Sequence, residues 1–71
     1  MHILIFKTNI ETDNAHREVK NLLGTYQSII DWHIDREDID NVLRIESETN
    51  NINDIIATIN NAGFICEELP D

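Results

Sequence analysis

Apolar residues recur along this chain with a period that switches between two and about 3.6, and each switch marks a new element. Ile3-Leu4-Ile5-Phe6 is a β-prone run too short for a helix, with apolar residues at both parities. It reads as a central strand that meets apolar neighbours on both faces. Lys7 to Thr12 is polar except for Ile10, so it predicts a loop with one inward anchor. Asp13 or Asn14 is placed to cap a helix, and Ala15, Val19, Leu22, Leu23 and Tyr26 then fall on one helical face. Ile30, Trp32 and Ile34 alternate with Asp31, His33 and Asp35, the pattern of a half-buried strand with its charges in solvent. After the acidic turn from Arg36 to Asn41, Val42 to Glu46 gives a third strand with Leu43 and Ile45 on one face. Ser47 to Asn51 is a polar loop in which Asn50 or Asn51 caps a second helix, whose stripe is Ile52, Ile55, Ile56 and Ile59. Gly63 sits where a helix ends on a left-handed residue. Phe64-Ile65-Cys66 predicts a short last strand before Glu67, Glu68 and the terminal Pro70-Asp71.

The order is strand–helix–strand–strand–helix–strand, with residues 1–71 forming a single domain. Two helix stripes this short bury best on one face of a four-stranded antiparallel sheet. That is the ferredoxin-like two-layer sandwich of the α+β class. In this arrangement the first and third strands are central, and the fourth flanks the first.

Composition narrows the functional classes. At 71 residues the chain buries only about 60% of the surface it exposes when unfolded, so each apolar stripe matters. Fourteen acidic residues against five basic ones give a net charge of −9. Such a surface repels nucleic acid and anionic membranes, both of which select a basic footprint. No apolar run approaches the roughly 20 residues of a membrane span, and no basic segment precedes an apolar stretch as in a signal peptide. The one cysteine, Cys66, has no internal disulfide partner, and the expected setting is cytoplasmic.

Lys7-Thr8-Asn9-Ile10, then Val19-x-x-Leu22-Leu23, Ile29-x-x-Trp32-x-Ile34-Asp35 and Ala62-Gly63-Phe64 follow one another in an order and spacing with a wider echo. Together they resemble the heavy-metal-associated (HMA) domain family, above all its small stand-alone members with a lysine-threonine-asparagine-isoleucine loop. The resemblance extends over nearly the whole chain and implies the same sandwich. In that family the loop after the first strand carries a Cys-x-x-Cys pair for soft cations such as Cu(I) or Zn(II). Placed by Ile10 and Val19, the two cysteine positions fall on Thr12 and Ala15. A neutral hydroxyl and a methyl group do not replace thiolates, and Cu(I) prefers sulfur. The resemblance therefore implies a degenerate metal loop: its anchor Ile10 is kept while its ligands are absent, and no cofactor is expected.

An alternative set of ligands lies close by. Asp13 and His16 are spaced to face one side of the first helix, with Glu11 adjacent, a combination able to hold Zn, Ni or Cu weakly. The acidic turn of Asp35, Glu37, Asp38 and Asp40 lacks the glycine and spacing of a calcium loop. No glycine-rich phosphate loop or nucleophile elbow occurs, and Cys66 is followed by glutamates that blunt its thiolate, so no enzyme is expected. One feature points outward. If Leu4 and Phe6 face the helices, Ile3 and Ile5 lie on the open side of the sheet. The same parity adds Val42 and Ile65. An aliphatic cluster there predicts contact with a protein partner or a homodimer.

Overall fold

The computed structural model describes residues 1–69; Pro70 and Asp71 lie outside the described residues. Six elements follow in order: β1 (His2–Thr8), α1 (Asp13–Leu23), β2 (Ile29–Asp35), β3 (Val42–Ser47), α2 (Ile52–Asn61) and β4 (Cys66–Glu68). The strands form one antiparallel sheet in the order β2-β3-β1-β4. This is the ferredoxin-like sandwich expected from the pattern, with β1 and β3 central and β4 beside β1. Leu4 and Phe6 of β1 and Leu43 and Ile45 of β3 supply the sheet's part of the core. Val19 and Leu23 of α1, with Ile55 and Ile59 of α2, supply the helical part. The Tyr26 hydroxyl ties the two halves together, 2.6 Å from the Thr58 hydroxyl and 3.2 Å from the Asp54 carbonyl.

Three local expectations are corrected and one is met in part. The α1 cap is Thr12 rather than Asp13 or Asn14: its backbone is extended, and its hydroxyl accepts the Ala15 N–H at 3.1 Å. Asn51 is the N-cap of α2, as expected, but its side chain makes no bond to a helix N–H; its amide oxygen instead accepts from the Ser47 hydroxyl at 3.4 Å. In β2 the alternation breaks at a bulge between Ile29 and Asp31, so Ile30 turns outward and is 53% exposed. Ile29 joins Trp32 and Ile34 against the core in its place.

The third correction bears on function. β4 begins at Cys66, not Phe64. Gly63 adopts φ +97° to end the helix as expected. The Phe64 N–H then returns to the Ile59 carbonyl, and the Ile65 N–H is taken by the Asn9 side chain at 2.8 Å. Neither residue is free to join the ladder, which starts with Thr8 opposite Cys66.

Candidate functional site

The loop after β1 is organised from both sides. The Thr8 N–H reaches the Asp40 carbonyl at 3.0 Å, and its hydroxyl donates to the Asn41 carbonyl at 2.6 Å. That bond helps hold Asn41, a buried residue at φ +43°, in the left-handed region that asparagine tolerates. Lys7 lies 3.7 Å from the Asp40 carboxylate. Asn9 accepts the Ile65 N–H, and Ile10 is fully buried as the predicted anchor. Each residue of the Lys7-Thr8-Asn9-Ile10 segment thus fixes the loop to a neighbouring turn or to the core.

The two positions that the resemblance assigns to metal ligands face one another through a cap. The Thr12 hydroxyl accepts the Ala15 N–H, so the pair closes the first turn of α1. The donor chemistry does not fit a soft cation: one neutral oxygen is engaged, and Ala15 offers no donor.

Nor are the alternative ligands gathered around a common point. Arg36, from the turn between β2 and β3, donates to the Asp13 carboxylate at 2.6 Å and to the Glu11 carbonyl at 3.2 Å. This hydrogen bond, with the guanidinium charge, holds the Asp13 carboxyl below its ordinary value of 3.8. A cation already occupies the carboxylate and repels a second one. The His16 ring packs on Trp32, with centroids 5.1 Å apart and planes at 38°. Among the described residues no group of three or more His, Cys, Asp or Glu side chains is placed to hold one metal ion, so Asp13, His16 and Glu11 do not form such a set. Arg36 is a site residue that no motif or periodicity singles out; its one signal is a lone basic residue inside an acidic turn.

Beside the loop, Glu11, Arg36, Glu37, Asp38, Ile39 and Asn41 line an open groove. Cys66 is buried, and burial first, then the charge of Glu67, pushes its thiol up to about 12. It acts as a small apolar core residue rather than a nucleophile.

The open face of the sheet holds the remaining predicted residues. Ile3 stands opposite Glu46 and Ile5 opposite Arg44, while Val42 follows two residues from Arg44 and is diagonal to Ile5. All three are half-buried and do not belong to the apolar set packed on the core. Ile65 does not complete their cluster. It precedes β4, beside Asn9, with Lys7 and Glu67 paired between it and Ile5. Its place is taken by Leu69, whose N–H donates to the Ile5 carbonyl at 2.8 Å. The start of β4 at Cys66 leaves Ile65 ahead of the ladder and brings Leu69 beside Ile5. A shift by an even number of residues keeps side-chain parity but moves each residue along the neighbouring strand.

No protein-family model matches the chain, and no curated protein matches it in sequence. Solved structures match it in shape. The yeast copper transporter domain CCC2A, solved in solution in its apo and Cu(I)-loaded states, is similar with a TM-score of 0.83 at 16% identity, over 100% of this chain and 99% of that one. The N-terminal domain of ZntA, solved in its Zn(II) form, is similar with a TM-score of 0.78 at 10% identity, over 93% of this chain and 89% of that one. At such identities the likeness shows a shared fold. Among the described residues no helix is long and apolar enough to cross a membrane.

Proposed function

We propose that this chain is a non-enzymatic protein-binding module, built on the fold shared by a copper transporter domain and a domain solved in its Zn(II) form, whose loop lacks thiolate metal coordination. One observation carries the reading: Thr12 and Ala15, the positions assigned to ligands, are joined by a helix-cap hydrogen bond, and the adjacent Asp13 is neutralised by Arg36. A loop that binds metal keeps donors free and lone pairs convergent. Here the nearby hydroxyl and carboxylate are committed to holding the loop to α1 and to the β2–β3 turn. What remains for binding is surface, in the sense of contact with another protein.

Native mass spectrometry of the full chain tests this, with Zn(II), Cu(II) and, under reducing conditions, Cu(I). The expected result is no stoichiometric adduct with any of the three. A one-to-one adduct that disappears in His16→Ala would replace this reading with a metal-handling one that uses oxygen and imidazole ligands.

A further inference from the structure

We infer that the open face of the sheet is the docking surface, and that its occupant is a protein surface with an aliphatic centre and a rim of lysine or arginine. The inference rests on the reading of the chain as a binding module and names its partner by chemistry. Ile5 lies at the centre of the cluster. Leu69 is beside it on the β4 side, Ile3 is two residues along the same strand, and Val42 is diagonal on β3. These side chains share one face because Leu4, Phe6 and Leu43 alternate with them into the core. The cluster is therefore contiguous, whereas the exposed Ile30, Ile39 and Ile65 lie at the β2 bulge, in the β2–β3 turn and ahead of β4. Ile3 and Ile5 of β1 and Val42 of β3 stand on the two central strands, so docking onto them orders no loop.

The rim selects the partner. Asp31 lies beside Glu46, Asp35 beside Val42, and Glu67 beside Lys7 on the same face. These carboxylates outnumber the cations Lys7 and Arg44, and Lys7 also has Asp40 at 3.7 Å. A second copy of the chain would set an acidic rim against an acidic rim, between bodies that each carry −9. A basic rim meets complementary charge instead, which speeds encounter and fixes orientation.

The test uses a displayed library of a small helical scaffold with one randomised face, selected against the full chain. An acidic target enriches basic binders unspecifically, so the decisive readouts are variants of the chain. The expected result is binders with aliphatic centres and basic rims that weaken at least about tenfold on Ile5→Asp and, independently, on Leu69→Ser. Glu46→Lys, which reverses a rim charge and leaves the aliphatic cluster intact, weakens them by a similar factor. Circular dichroism of each variant verifies the fold, and Leu69→Ser, beyond the end of β4, serves if Ile5→Asp unfolds. Failure to select binders, or binders indifferent to these changes, overturns the proposal. A free chain that runs as a dimer and is dissociated by Ile5→Asp overturns it in favour of a second copy. Neither outcome touches the metal question, which the adduct measurement decides separately.

Discussion

The two faces of the sheet are built from the same strands and behave as different materials. On the helix side, Leu4, Phe6, Leu43 and Ile45 meet Val19, Leu23, Ile55 and Ile59, and the buried polar residues Thr8, Asn41 and Ser47 stand at or next to strand ends. On the open side, Ile3, Ile5, Val42 and Leu69 lie among Lys7, Arg44, Glu46 and Glu67. The first face is an interior, where packing decides stability. The second is an apolar cluster within a charged surround, the anatomy that the proposed docking surface relies on. One strand, β1, serves both faces by alternation alone, so a single-residue change of position moves a side chain from the core to the proposed docking surface.

That contrast breaks most visibly at Cys66, which closes the helix-side core next to β1. With its thiol pushed up to about 12, alkylation of the folded chain near neutral pH should run more than about a thousandfold slower than that of the unfolded chain. Reaction at the rate of an exposed thiol would mean that this face opens readily. The same shift has a sign in pH: the unfolded thiol ionises from about 9 and the folded one does not, so its contribution is present below that range and lost as pH rises toward 12.

Phe6→Ala, on the same face, should cost about 3–5 kcal/mol, a large share of the roughly 4–11 kcal/mol expected for this length. Urea unfolding followed by circular dichroism measures it. One residue away, Ile5→Asp should cost clearly less than Phe6→Ala in the same experiment while weakening binding on the open face at least about tenfold. Equal losses at the two positions would erase the distinction between the faces.

The smallest effect belongs to the loop end, which lies on neither face and serves as a control. The depressed Asp13 carboxyl keeps its pair with Arg36 ionised above its ordinary value of 3.8, and the pair's contribution is lost as pH falls through the lower, folded value. Because Asp13 is exposed, its replacement by Asn should shift thermal unfolding near neutral pH by little, and should flatten the stability curve only below about pH 4. A large loss at neutral pH would give Arg36 a structural weight this account does not assign to it.

The fold was readable because its signals are local. Ile52, Ile55, Ile56 and Ile59 mark a helix stripe in any context, and Gly63 marks the end of that helix. The departures arose where a partner distant in sequence competes for a backbone group. Asn9 takes the Ile65 N–H across the molecule, so β4 starts late. Thr12 caps α1, while the Asp13 carboxylate is held by Arg36 from the β2–β3 turn. At the loop, the absence of donors at Thr12 and Ala15 was legible from residue type, but their joining by a hydrogen bond was not. On the open face, parity identified Ile3, Ile5 and Val42. Exchanging Ile65 for Leu69 required the register, which no periodicity encodes.

The central claim is that this fold binds protein through its open face and not metal through its loop. Amide chemical shifts of the full chain, followed during titration with Cu(I) or Zn(II) and then with a selected basic binder, test both halves at once. The account predicts that the metals leave the Thr12–His16 amides in place, and that the binder moves those of Ile3, Ile5, Val42 and Leu69 together. Saturable one-to-one shifts at Thr12–His16 with either metal, and none on the open face with the binder, would contradict it.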